Sequence, residues 1–210
     1  MSAQPPLPVL HQGDLPEDVS YSFGSVVAID TETMGLIPGR DRLCLVQLSA
    51  GDGTSHLVQF GRGRYDAPNL RRLLTDANVT KLFHFGRFDI AVLYAYLSVL
   101  ARPVYCTKIA SRLVRTYTDK HGLKELCKEM LGIELNKQQQ SSDWGSGNLS
   151  PEQMKYAASD VLYLHALKAK FDILLEREGR VGLATSCFEF LPARAALDLA
   201  GWSELDIFAH

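Results

Sequence analysis

Val26-Val27-Ala28-Ile29-Asp30-Thr31-Glu32 (VVAIDTE) is the stretch on which the fold turns. Val26–Asp30 is a short apolar, β-branched run of the kind that fills a buried strand. Asp30-Thr31-Glu32 lies where that strand is expected to end. Alternate residues of a strand share a face, so the two carboxylates can point the same way. Alone, the tripeptide reads equally well as a turn with solvated acids.

Outward from this strand, Leu43–Leu48 (LCLVQL) and Ser55–Phe60 (SHLVQF) predict two more strands, with Gly51-Asp52-Gly53 as the turn between them. Lys81–Phe85 and Val104–Cys106 complete an expected set of five. Helices are expected over Asn69–Leu74, from about Arg87 to Leu97, over Lys108–Val114, and over Leu123–Leu131, which Gly132 ends. Asn136–Asn148 (NKQQQSSDWGSGN) is polar and without apolar periodicity, so it reads as a loop. Ser150-Pro151-Glu152 has the N-cap, N1 proline and first-turn acid of a helix start. That helix is predicted to run to about Glu178, with a last one after Gly182 broken near Pro192. Strands first and helices later imply an α/β domain, a mixed sheet covered by helices. Residues 1–22, Pro-rich and then polar, read as an N-terminal arm, and residues 23–210 as a single domain with a C-terminal helical extension.

The 210 residues suit one compact domain, and 46% hydrophobic with 22% charged residues is ordinary for a globular chain. A net charge of −2 does not suggest a long duplex gripped through many phosphates. It fits a short substrate, or basic residues gathered in one groove. Cys44, Cys106, Cys127 and Cys187 form no zinc-binding spacing and read as thiols in a reducing compartment. The start, MSAQPPLPVL, lacks the pattern of a signal peptide, and Ile90–Leu100 is too short to span a bilayer. A cytoplasmic location without membrane attachment is the expectation.

Two further acids join Asp30 and Glu32. His84-Phe85-Gly86-Arg87-Phe88-Asp89 puts Asp89 at a helix start, where an acid can simply cap the helix. Tyr156-Ala157-Ala158-Ser159-Asp160 puts Tyr156 and Asp160 on one helix face, with alanines slim enough to pack against a sheet. Converged on one cleft, four carboxylates repel one another unless divalent cations lie among them. All-oxygen ligands favour Mg2+ or Mn2+ over zinc.

In this order the segments resemble the DEDDy branch of the DnaQ-like 3′→5′ exonucleases, within the ribonuclease H-like fold. LCLVQLS at Leu43–Ser49, HFGRFD at His84–Asp89 and Ser142-Asp143-Trp144 before YAASDVLYLH narrow this to the ribonuclease D-like group. HQGDLP at His11–Pro16, CTKIASRL at Cys106–Leu113, TYTDKHGLKEL at Thr116–Leu126, KQQQSSDW at Lys137–Trp144 and GWSELDIFAH at Gly201–His210 resemble its small members that clear very short RNAs. The chain runs only about fifty residues past Asp160, so the helical nucleic-acid-binding domains of full-length ribonuclease D are not expected, nor is transfer-RNA trimming.

The resemblance implies a ribonuclease H-like mixed five-stranded sheet and hydrolysis of the 3′-terminal phosphodiester to nucleoside 5′-monophosphates. It implies two divalent ions, with Asp30 bridging both, Glu32 and Asp160 on the nucleophile side and Asp89 serving the leaving-group side. Tyr156 would orient the attacking water. Free tyrosine has a pKa of about 10, which argues for positioning over general-base chemistry. The implied substrate is short RNA, the implied assembly a homo-oligomer of eight; longer RNA or DNA ends, or a catalytically silent binding module, are the other readings. Leu36 reads as a wedge against the terminal bases or as core. His84 reads as a strand histidine or a substrate contact. Arg87 pairs locally or contacts phosphate. Lys137, Gln140 and Ser141 suit a terminal phosphate or a solvated loop, and Trp144 anchors that loop more readily than it stacks a base.

Overall fold

The computed structural model describes residues 6–136, 138–139 and 141–209. Its sheet has six strands in the order β1-β4-β3-β2-β5-β6. These are β1 (Val9–Gln12), β2 (Val26–Thr33), β3 (Leu43–Ser49), β4 (His56–Gln59), β5 (Thr80–Phe83) and β6 (Val104–Cys106). β2, β3 and β4 pair antiparallel; β5 and β6 run parallel to β2, and β1 runs parallel to β4. The mixed α/β architecture is the expected one, with one strand more than predicted. The sixth comes from the segment read as an arm, where VLHQ gains its backbone partners from β4, 47 positions along the chain.

The helices are α1 (Glu17–Ser20), α2 (Pro68–Thr75), α3 (Gly86–Leu97), α4 (Thr107–Val114), α5 (Leu123–Leu126), α6 (Pro151–Leu162), α7 (Leu164–Arg177) and α8 (Val181–Leu197). α5 continues as a π-helical turn over Cys127–Leu131, closed by Gly132 at φ 70°. The helix foreseen from Pro151 to Glu178 is two helices, turned at Tyr163. α8, by contrast, runs unbroken through Pro192. Proline there costs one backbone hydrogen bond, but Leu191, Pro192 and Ala195 are buried in the core, and α8 packs on α3. No helix among the described residues is long and apolar enough to cross a membrane.

Every residue of β3 is buried, which explains a sequence that is nearly continuously apolar and does not alternate. α6 covers one face of the sheet and α3 the other. The Leu45–Leu57–Trp144–Ala157 cluster lies on the α6 face, while Val46, Leu48, Val58 and Ile90 belong to the larger core. Each fully buried leucine in these layers contributes about 1.5–3 kcal/mol. In the β3–β4 turn, Gly51 has φ 81° and lies so close to His165 that an added Cβ would sit 2.6 Å from the ring. Only glycine fits there.

Candidate active site

β2 is longer than predicted, so Asp30 and Glu32 lie within the strand and not beyond it, with a bulge between Glu32 and Thr33. Both side chains leave β2 on the face covered by α6. α6 is anchored by a capping box: Ser150 accepts from the Gln153 backbone N–H at 3.1 Å, and the Gln153 side chain accepts from the Ser150 N–H at 2.9 Å. Buried Ala157 and Ala158 let this helix lie close on the sheet and bring Asp160 over β2. Asp30, Glu32 and Asp160 thereby offer carboxylate oxygens that all lie within 4.8 Å of one another. Such an all-oxygen set fits a hard divalent cation.

The electrostatics point the same way. Burial, then repulsion from Asp89, Asp160 and Glu32, holds the Asp30 carboxyl well above the usual carboxylate range. Burial, followed by Asp160 and Asp89, does the same to Glu32. Asp89 is pushed up to about 7 by burial, against the hydrogen bonds that Thr31 gives it. These groups are costly to keep charged together without a cation between them.

Asp89 sits in the first turn of α3 beneath the cleft, 2% exposed, and its Oδ1 accepts a 2.7 Å hydrogen bond from the Thr31 hydroxyl. The N-cap position belongs to Phe85, so Asp89 is not a cap. Tyr156 stands one turn before Asp160, its ring 5.9 Å from that of Trp144. Burial and the neighbouring Asp160, Glu32 and Asp30 carboxylates raise its phenol far above the ordinary value, so it stays protonated. Trp144 itself is 3% exposed and packs with Leu45, Leu57 and Ala157. Its loop is tied down by Arg42 donating to the Gly145 carbonyl at 3.0 Å and Gln59 to the Ser146 carbonyl at 2.9 Å.

The cleft over these groups has a volume of about 640 Å³. Leu36, His84 and Ser141 line it as the sequence suggested. Leu36 is 84% exposed, which removes the core-leucine reading. His84 bonds Thr107 Oγ1 through Nδ1 at 2.9 Å while facing the cleft. Lys137 and Gln140 lie outside the described residues. Arg87 does not line this cleft; it pairs with Asp198 at 2.6 Å and donates to the Ser203 carbonyl, because α8 brings that acid alongside the start of α3. Arg115 is likewise spoken for, buried against Glu129 and the Lys120 carbonyl.

Sequence reasoning passed over Thr31, Phe85 and Lys108, all of which line the cleft. Lys108 Nζ lies 4.3 Å from the Phe85 ring centre, a cation–π contact at the cleft wall. Phe85 stands within the HFGRFD segment and Lys108 within CTKIASRL, and membership of those two segments was the available signal. A larger cavity, about 890 Å³, adjoins and shares Met34, but the carboxylate cluster is not in it.

The 3′-5′ exonuclease family model matches residues 11–176, and the chain belongs to that family. Among its relatives is ribonuclease D of Gluconacetobacter diazotrophicus, 33% identical over 160 residues, which cover 76% of this chain and 40% of the relative. The chain thus spans well under half the length of that curated relative. Brucella melitensis NrnC is similar from end to end: 57% identical, TM-score 0.94, covering 97% of this chain and 98% of NrnC. NrnC has also been solved with bound Mg2+ (55% identity, TM-score 0.93, 98% of this chain and 100% of that one) and bound to pGG (56%, 0.93, 97% and 98%).

Proposed function

We propose that this chain is a 3′→5′ exoribonuclease that hydrolyses very short RNAs, dinucleotides above all, to nucleoside 5′-monophosphates. The observation that carries the reading is the convergence of Asp30, Glu32 and Asp160 within 4.8 Å, with Asp89 immediately beneath, in a cleft of about 640 Å³. Similarity to NrnC, which has been solved with Mg2+ and with pGG, supports both the cation and the short substrate.

Two divalent ions, Mg2+ or Mn2+, would be held by Asp30 between them, by Glu32 and Asp160 on one side, and by Asp89 on the other. When bound, they supply Lewis acidity and offset charge on the attacking and leaving oxygens. The protein's own groups do the positioning. The neutral Tyr156 hydroxyl orients the water that attacks the 3′-terminal phosphodiester. The P–O3′ bond then breaks, leaving a 3′-hydroxyl on the remaining nucleotide. Leu36, exposed in the cleft lining, wedges against the bases, and Ser141, also in that lining, meets a terminal phosphate. A two-nucleotide substrate offers few phosphates, which agrees with a net charge of only −2. The exposed apolar tail, with Trp202, Leu205 and Phe208, supports a homo-oligomer, and the buried thiols Cys44, Cys106 and Cys127 suit the cytoplasm.

Turnover of 5′-labelled RNAs of increasing length, from the dinucleotide upward, with Mg2+ and beside a DNA of matched sequence, tests the proposal. It expects the highest kcat/KM on the dinucleotide. Equal or better cleavage of long RNA or DNA would replace the substrate but keep the chemistry. No cleavage of anything by folded protein would leave a silent binding module.

A further inference from the structure

The middle residue of Asp30-Thr31-Glu32 is more than a spacer. Strand alternation sends Asp30 and Glu32 to the α6 face of β2 and Thr31 to the α3 face. There the Thr31 hydroxyl donates to Asp89 Oδ1 at 2.7 Å, with Thr31 6% and Asp89 2% exposed. This is the one side-chain hydrogen bond Asp89 makes among the described residues. The cluster with mutual spacing within 4.8 Å consists of Asp30, Glu32 and Asp160, and Asp89 is not part of it. Whatever Asp89 contributes to a second cation therefore depends on how its carboxylate is oriented, and the one side chain that orients it is Thr31, beside the backbone N–H groups of Thr31 and Asp89.

We propose that Thr31 is the positioning residue for Asp89: its hydroxyl ties one carboxylate oxygen to the strand that carries Asp30 and Glu32, and leaves the other oxygen for the second ion or its water. The three consecutive residues of β2 then set both sides of the site, two as ligands and one through a ligand from the opposite layer. A carboxylate that loses this hydroxyl keeps only backbone N–H partners, turns more freely about its side-chain bonds, and loses part of the fixed geometry that a second ion needs. This inference rests on the two-ion reading given above.

Mn2+ titration followed by electron paramagnetic resonance and calorimetry, on wild type, Thr31→Val and Thr31→Ser, tests it without relying on turnover. The expected result is two ions in wild type. Thr31→Val, nearly isosteric but without the hydroxyl, should keep the tighter ion and bind the second about 10–100-fold more weakly. Its kcat should fall in parallel at subsaturating Mg2+, with KM for the dinucleotide unchanged. Thr31→Ser should bring second-ion affinity back to within about threefold of wild type, since it restores the donor. In an Asp89→Asn background, Thr31→Val should have no further effect on second-ion binding. Thr31→Ala carries the same expectations should the valine variant fail to fold. Two ions of unchanged affinity in folded Thr31→Val or Thr31→Ala, with only the melting temperature lowered, would make Thr31 a purely structural partner and overturn the inference alone. A single ion in wild type would overturn the two-ion reading, and the inference with it.

Discussion

Arg87 grips Asp198 through Nε at 2.6 Å and Nη2 at 2.9 Å, across 111 positions of chain, and its guanidinium also donates to the Ser203 carbonyl. Arg194 meets the same carboxylate at 2.9 Å. Two arginines thus hold the C-terminal segment beside the first turn of α3, which carries Asp89. If Arg87 is a clamp and not a phosphate contact, Arg87→Ala should leave KM for a dinucleotide within about threefold of wild type. Because the pair is partly exposed, stability should drop by only about 1 kcal/mol. Asp198→Ala, which removes the carboxylate both arginines share and leaves them only backbone carbonyls, should loosen the tail and hasten its proteolysis. A KM increase of tenfold or more in Arg87→Ala, with the tail still protected, would return Arg87 to the substrate.

The carboxylate cluster predicts an unusual stability trade. Asp30 is held well above the usual carboxylate range by burial and by Asp89, Asp160 and Glu32, so in metal-free protein its charge is destabilising. Asp30→Ala should therefore abolish cleavage yet raise the melting temperature in EDTA, by a few degrees for about 1 kcal/mol. The pH dependence has a definite sign. Asp89 moves from 3.8 to about 7, so the folded state binds the proton more tightly than the unfolded state. That contribution is fully present below pH 3.8 and is lost as pH rises through 7. In EDTA this group favours the fold less at pH 8 than at pH 6, and saturating Mg2+ should reverse that difference. Comparing melting curves of wild type and Asp89→Asn, with and without Mg2+, isolates the effect.

Tyr156 is the sharpest test of how water is handled. A phenol raised by burial and three neighbouring carboxylates does not serve as a base near neutral pH. Tyr156→Phe should keep the fold and the Trp144 contact while lowering kcat on the order of 100-fold, a typical loss for a misplaced reacting group. Its pH–rate profile should keep the wild-type shape, since no titrating base has been removed. A lost limb in that profile would restore the general-base reading.

The parts of the site that were readable are those governed by local periodicity. Asp30 and Glu32 follow from the strand period, and Tyr156 with Asp160 from the helix period. What escaped depends on partners far away in the chain. VLHQ at β1 becomes a strand only through β4. Arg87 finds its partner 111 residues later. α8 continues through Pro192 because its packing on α3 and the core outweighs one missing backbone bond. Thr31 was passed over because a threonine between two acids looks like strand filler until the residue across the layer is known.

Lys81 offers a prediction far from the cleft. It lies in β5 with no exposed surface, its ammonium donating to the Asp76 carbonyl at 2.7 Å and the Val79 carbonyl at 2.6 Å. Burial lowers it from 10.5 to about 8, with Asp76 pulling the other way. Between these values the unfolded chain binds a proton that the folded chain has released, so stability rises with pH across that window and is flat below it. The expected gain is at most roughly 3 kcal/mol, reduced to the extent that the two carbonyls keep the amine charged. Chemical denaturation at intervals from pH 7 to 11, on wild type and Lys81→Met, should show a rise in wild type that the variant lacks. Parallel curves would mean that the two carbonyls fully offset the burial of the charge.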